Sequence, residues 1–155
     1  MQVKWQLKKF EDLTPYEVYA VLQLRNEVFV VEQACVFQDA DNNDQSSWHF
    51  MGWLNDQLVA YTRLVPAGVI YDIPSIGRVV TSPAVRRTGI GKTLMQLSID
   101  HIYHLFGPVP LKIGAQLYLK SFYESFGFTQ ISNIYLEDGI EHIYMLKPVS
   151  NRSTK

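Results

Sequence analysis

Apolar and polar positions alternate from the start of the chain. Val3, Trp5 and Leu7 fall between Gln2, Lys4, Gln6 and Lys8, the period-two pattern of a half-buried strand. The period changes at Thr14-Pro15-Tyr16-Glu17. There a threonine stands at the N-cap, a proline at the first helical position and a glutamate three residues after the cap. Val18, Val21, Leu22, Leu24, Val28 and Phe29 then recur at helical spacing to about Val31. Periodicity is lost over 33–47, where Asp39, Asp41, Asn42, Asn43 and Asp44 are loop and turn formers. Strand patterns at 48–54 and 58–66 flank Asn55-Asp56, a hairpin turn pair. After a loop at 67–75 comes an apolar strand around Ile76, Val79 and Val80. A helix carrying Leu94, Leu97, His101, Ile102 and Leu105 on one side stops at Gly107-Pro108. The remainder predicts a strand at 111–115, a helix at 117–126, and a hairpin with arms 128–136 and 140–146 turning at Glu137-Asp138-Gly139.

The order β, α, loop, β, β, β, α, β, α, β, β contains no repeat and no linker. It predicts one α+β (mixed α/β) domain over 1–148, with a polar tail at 149–155. Composition agrees: of 155 residues, 47% are hydrophobic and 19% charged, the balance of a folded globule. A net charge of −1 gives no general attraction to nucleic acid or to an anionic membrane. Cys35 is the single cysteine, so no internal disulfide forms and a reducing compartment is expected. The start resembles no signal peptide and no apolar run reaches membrane-spanning length, so a cytoplasmic location is expected.

Chemistry enters at residues 76–92, IGRVVTSPAVRRTGIGK, which reads strand, loop, helix. Glycines at a helix entrance let backbone approach a ligand, and the free N–H groups of the first turn favour an anion. Arg86, Arg87 and Lys92 add positive charge. Gly91-Lys92-Thr93 ends like a P-loop, but the first glycine of that pattern would fall on Arg86. A dinucleotide fingerprint would need glycine at Leu94. What fits is Arg-x-x-Gly-x-Gly at Arg86, Gly89 and Gly91. This resembles the pyrophosphate loop of the Gcn5-related N-acetyltransferases (GNAT superfamily).

A second motif strengthens the resemblance. Gln116 to Phe128 is similar to the GNAT pattern Asn-x-x-Ala-x-x-Phe-Tyr-x-x-x-Gly-Phe, matching at Phe122, Tyr123, Gly127 and Phe128 and departing at Gln116 and Leu119. Leu24-Arg25, the run 28–33, the Asp-rich loop followed by His49, Gly114-Ala115-Gln116, and Glu137-Asp138-Gly139-Ile140 with His142 together resemble the ElaA-type branch, in which Gln116 is the expected residue. The resemblance implies a GNAT acyl-CoA N-acyltransferase fold, with a central, mostly antiparallel sheet flanked by helices. It implies acetyl-CoA as co-substrate, no metal, and a primary amine on a small molecule or peptide as acceptor. It also implies that Val79, Val80 and Thr81 pair with the pantetheine amides. Arg86, Arg87, Thr88, Gly89, Ile90, Gly91 and Lys92 would hold the diphosphate, and the Gln116 amide would bond the pantetheine arm.

Acetyl transfer needs an acid for the departing thiolate and a base for the ammonium. Tyr123 is the expected acid, because a phenol is protonated at neutral pH. Glu32, at the end of the first helix, and His49, on the strand after the acidic loop, are the expected bases, with His142 in the closing hairpin as a further candidate. His101 and His104 look structural. Cys35 has no sequence-local partner to make it a nucleophile. Asp39, Asp41 and Asn43 fit the first positions of a calcium loop, but Asp44 and Phe50 replace its glycine and glutamate; the loop reads as solvated, or as an acidic rim for a cationic acceptor. A non-catalytic acetyl-CoA sensor of the same fold is the alternative function, and a nucleotide-phosphate binder is a third. Apolar residues on the last strands are compatible with a homodimer.

Overall fold

The structure, a computed structural model, describes residues 2–149. The tail expected after Pro148 lies, apart from Val149, outside the described residues. Strands β1 (Lys4–Lys9), β2 (Trp48–Leu54), β3 (Gln57–Val65) and β4 (Ser75–Thr81) pair antiparallel in that order. A second antiparallel sheet is built on β8 (Ile140–Lys147), with β5 (Leu111–Gln116), β6 (Thr129–Gln130) and β7 (Tyr135–Glu137) as its neighbours. The helices are α1 (Pro15–Arg25), α2 (Ile90–Phe106) and the short α3 (Lys120–Glu124).

Local chemistry explains most of these elements. The capping box at the start of α1 is complete: Glu17 N–H donates to Thr14 Oγ1 at 3.1 Å, and Thr14 N–H donates to Glu17 Oε1 at 2.8 Å. Lys8 from β1 adds a 3.0 Å ion pair to the same glutamate. The β2–β3 turn has Asn55 and Asp56 both at positive φ, +50° and +65°, as a tight hairpin with right-handed twist requires. The first sheet is covered on both faces. Val21, Leu24 and Val28 bury Met51, Tyr61 and Val80 on one face, while Leu94 and Ile90 of α2 bury Phe50 and Ala60 on the other. Each fully buried side chain of this size contributes about 1.5–3 kcal/mol. Ile99, Ile102, Ile113, Ala115, Tyr123, Phe128, Ile143 and Met145 continue the α2 side of the core under the second sheet.

Three features depart from the sequence expectations. The sheet is not continuous: β4 and β5 are joined where Lys112 N–H donates to the Pro74 carbonyl at 3.1 Å, and beyond that point they pair with other strands only. The cause is a bulge in β4. Tyr61 faces Val80 and Arg63 faces Gly77, so Arg78 and Val79 together stand opposite Thr62, and Arg78 adopts φ +51°. The first helix runs on to Glu32, but its last part, Asn26–Glu32, is π-helical. The first arm of the closing hairpin breaks into β6 and β7, because Ser132 leaves the ladder and its hydroxyl accepts from Tyr144 N–H at 2.9 Å.

The acidic loop is not a solvated rim. Arg25, fully buried at the end of α1, donates to Asp39 Oδ2 and Asp44 Oδ1, both at 2.7 Å. Arg63 binds Asp41 at 2.8 Å and Asp44 at 2.9 Å, and Arg78 binds Asp39 at 2.7 Å. All three carboxylates of the loop are therefore turned inward onto guanidinium groups, and none is left to attract an acceptor. His49 lies under this loop, 1% exposed, with Nδ1 2.7 Å from Tyr61 Oη and Nε2 2.9 Å from the Asp44 carbonyl. Burial depresses its affinity for a proton below that of ordinary imidazole. The unfolded chain then takes up this proton first as pH falls, so the stability is complete above the unfolded value and is lost below it. Stability against urea is expected to fall between neutral and mildly acidic pH, by at most about 1.4 kcal/mol per pH unit for this group, and His49→Gln is expected to flatten that slope.

Candidate active site

The separation of β4 from β5 opens a cavity of about 640 Å³. Its walls are Ile76 to Thr81 on β4, Ile113, Gly114 and Gln116 on β5, the π-helical end of the first helix with Gln33, Cys35 and Phe37, part of α3, and the 137–142 hairpin. The volume lies within the range of about 300–1,000 Å³ usual for cofactor and small-ligand sites.

One end of the cavity reaches Gly91 at the start of α2. Gly89 holds the N-cap at φ +86°, a conformation costly for any residue with a side chain. Among the described residues no side chain caps this helix, and Thr93 N–H donates to the Gly89 carbonyl at 3.1 Å. The N–H groups of Ile90, Gly91 and Lys92 are thus offered to an outside acceptor, with the positive end of a 17-residue helix behind them. A Cβ placed at Gly91 would meet nothing within 4 Å, so this glycine keeps space open rather than relieving a contact. Ser82 caps the preceding turn by accepting from Ala84 N–H at 3.2 Å.

The β4 edge facing β5 forms a second binding element. Past Pro74 it has no strand partner among the described residues, and an unpaired edge inside a protein is a template for the amides of an extended ligand. Arg78 sets its shape. An arginine in the left-handed region costs about 1–3 kcal/mol, and here it is held by Nε to Asp39 Oδ1 at 2.7 Å and Nη2 to the Asp39 carbonyl at 2.9 Å.

Of the residues expected from sequence, Val79, Val80, Thr81, Arg86, Gly91, Gln116, Glu32 and Tyr123 line the cavity together. Arg87, Thr88, Gly89, Ile90 and Lys92 surround its Gly91 end without lining it; Thr88 Oγ1 donates to the Val85 carbonyl, and Arg87 takes φ +64°. His49 is corrected: it is sealed beneath the acidic loop, with both ring nitrogens engaged and away from the cavity. Glu32 reaches the cavity, but Arg86 grips its carboxylate in two bonds of 2.6 and 2.7 Å. That pairing holds the Glu32 carboxyl below the usual carboxylate range, which makes it a poor proton acceptor. Tyr123 is 6% exposed and packs edge-on against Phe122 and Phe128, while burial pushes its phenol up. Gln33, Cys35, Gly114, Glu137, Asp138 and Ile140 also line the cavity and were missed. Their common signal is nearness to the ends of elements that converge, which spacing alone does not reveal. Gln33 and Gln116 exchange amide bonds of 3.4 and 3.3 Å across the space.

A bulged strand edge and an uncapped glycine-rich helix start, opening on one cleft between two sheets, define the acyl-CoA N-acyltransferase class of fold. The pattern of the acetyltransferase (GNAT) domain matches residues 13–149, and the chain belongs to that family. It is 41% identical to protein ElaA of Escherichia coli over 149 residues, covering 95% of this chain and 97% of that one. The crystal structure of E. coli ElaA superposes with a TM-score of 0.89, at 40% identity over 94% of this chain and 99% of that one. An acyl-CoA N-acyltransferase from Pseudomonas aeruginosa gives a TM-score of 0.91, at 40% identity and the same coverage. A GNAT acetyltransferase from Elizabethkingia anophelis with acetyl-CoA bound shares the fold, with a TM-score of 0.63 at 16% identity over 95% of this chain and 98% of that one. Among the described residues no helix is long and apolar enough to cross a membrane.

Proposed function

We propose that the protein is an acetyl-CoA-dependent N-acetyltransferase that acts on a primary amine by direct attack on the thioester. The observation that carries this reading is one cavity that runs from the open N-terminal turn of α2, along the unpaired edge of β4, to the Tyr123 phenol. The N–H groups of Ile90 to Lys92, with Arg87 and Lys92, hold the diphosphate. Val79, Val80 and Thr81 offer backbone groups to the pantetheine amides, and Gln116 supplies a further amide. A main-chain N–H near the bulge faces the thioester oxygen and stabilises the charge that develops there. Tyr123 donates the proton that the departing thiolate needs; burial pushes its phenol up, so it holds that proton until the sulfur takes it. Acetyl-CoA bound in the E. anophelis protein of the same fold supports the choice of co-substrate. A cytoplasmic setting suits the single buried thiol.

The test compares ligands by thermal shift and follows free-thiol release over a panel of amines. Acetyl-CoA is expected to raise Tm where ATP and NAD do not, and at least one amine is expected to release thiol. Protection by ATP alone, or no thiol release with any amine, sinks the reading. Gly91→Ala separates binding from folding. The added methyl meets open space, and replacing a helical glycine stabilises the unliganded protein by roughly 0.5–1 kcal/mol. In the cavity the same methyl is expected to weaken acetyl-CoA by roughly tenfold, about 1.4 kcal/mol. Equal protection of both proteins by acetyl-CoA would place the diphosphate elsewhere.

A further inference from the structure

We infer that His142 is the base that takes the proton from the incoming ammonium, and that it does so from the side of the second sheet opposite Tyr123. The inference rests on the acetyl-transfer reading above and assigns its missing group.

Side-chain alternation places the two groups. Ile113 and Ala115 of β5 and Ile143 and Met145 of β8 turn into the core that also holds Tyr123. Gln116 and His142, directly opposite each other in the β5–β8 register, alternate with those residues and turn to the other face. His142 is 7% exposed and lines the cavity. In the tetrahedral intermediate the nitrogen and the sulfur are both bonded to one carbon, so a base and an acid on opposite sides of that carbon can each serve one of them without interfering.

The ring is also held in a useful tautomer. Nδ1 lies 2.8 Å from the Ile140 carbonyl oxygen, which only accepts, so Nδ1 carries the hydrogen and Nε2 carries the lone pair. Nε2 stands 3.9 Å from Glu137 Oε2, a carboxylate placed to stabilise the imidazolium once it forms. Tyr135 packs on the ring at 5.8 Å, and Cys35 Sγ donates to the Asp138 carbonyl at 3.4 Å, tying the hairpin tip to the segment after α1. The charged and titratable groups that share this cavity are Glu137 and Asp138 on the hairpin, Cys35 after the first helix, Glu32 with Arg86, Arg78 on β4, Tyr118 and Tyr123. Glu32, Arg86 and Arg78 are engaged in ion pairs; of the remaining His142, Glu137 and Asp138, His142 alone is buried, while the two carboxylates are exposed on the hairpin.

The step balances. His142 Nε2 takes one proton from the ammonium and passes it to solvent. The freed lone pair forms the C–N bond at the thioester carbon, and the carbonyl pair moves to oxygen. As the carbonyl re-forms, the C–S bond breaks with its electrons on sulfur. Tyr123 protonates that sulfur, His142 Nε2 takes the second proton from the acylated nitrogen and passes it to solvent, and Tyr123 regains its own proton from solvent.

Two nucleophiles test the assignment. Phe29, Phe37 and Ile140 wall the cavity, so 2-phenylethylamine serves as the probe that arrives protonated; hydroxylamine arrives unprotonated and needs no base. His142→Gln is expected to lower kcat/KM for 2-phenylethylamine by about 10²–10³-fold and to remove the acidic limb of its pH profile. Turnover of hydroxylamine and the Tm rise caused by acetyl-CoA are expected to persist, and added imidazole is expected to restore part of the loss in His142→Ala. Nitrogen NMR of the neutral ring is expected to find the proton on Nδ1. An active parent whose His142→Gln variant keeps its rate, or loses both nucleophiles equally, or an Nε2-protonated ring, overturns the inference alone. A parent that is protected by acetyl-CoA yet releases thiol with neither nucleophile overturns the transferase reading with it.

Discussion

Asp44→Ala is expected to destabilise the protein by about 3–5 kcal/mol, the usual result of leaving a buried charge without its partner. Asp44 is 8% exposed and accepts from both Arg25 at 2.7 Å and Arg63 at 2.9 Å, so its removal leaves Arg25, Arg63 and Arg78 with only Asp39 and Asp41 between them and the buried cluster one negative charge short. For a domain of this size such a loss lowers Tm by about 6–20 °C. Asp41→Ala is expected to cost less, because its side chain is 26% exposed and Arg63 keeps Asp44. The measurement is paired thermal and urea unfolding of the two variants. A Tm for Asp44→Ala within the scatter of the parent would mean that solvent reaches the cluster and screens it. The effect extends to the site, since the same loop carries Asp39, which holds Arg78 in its left-handed conformation at the β4 bulge. Asp44→Ala protein that still folds is therefore expected to bind acetyl-CoA more weakly than Asp41→Ala protein.

This network also marks where sequence reading stops. Thr14 and Glu17 are three residues apart, Asn55 and Asp56 are adjacent, and Gly89 and Gly91 open the same helix. Interactions of that reach leave a local signature, so the capping box, the β2–β3 hairpin and the glycine-rich helix start were all legible. Asp39 meets its arginines 14 residues before and 39 residues after it, and Asp44 meets Arg63 across 19. A cluster of acidic turn formers looks solvated until the fold supplies those partners. The bulge was hidden for a related reason: position 78 carries an arginine where positive φ usually calls for glycine, and only the Asp39 contact explains it. His49 and His142 show the same limit. Each alternates with apolar neighbours on a strand, and which face lies open is decided by what packs there. The acidic loop covers His49, while the parting of the two sheets exposes the cavity to His142.

Tyr123→Phe is expected to lower kcat by about 10²–10³-fold while leaving acetyl-CoA binding intact. The substitution removes one oxygen and keeps the ring that packs at 5.2 Å on Phe122 and 6.1 Å on Phe128, so the fold has little to lose. Burial pushes the phenol up, so it stays protonated across the working range, and the ratio of variant to parent rates is expected to be constant from about pH 6 to 9. The loss is also expected to shrink with thioesters whose thiolate is a better leaving group, since those need the proton least. Measuring thiol release from acetyl-CoA under saturating amine, alongside the Tm rise caused by acetyl-CoA, tests all of this in one set of samples. Parent-like turnover in the variant would reduce Tyr123 to packing between Phe122 and Phe128 and require solvent to protonate the thiolate. Weakened acetyl-CoA binding with unchanged kcat would instead give the phenol a part in holding the pantetheine arm.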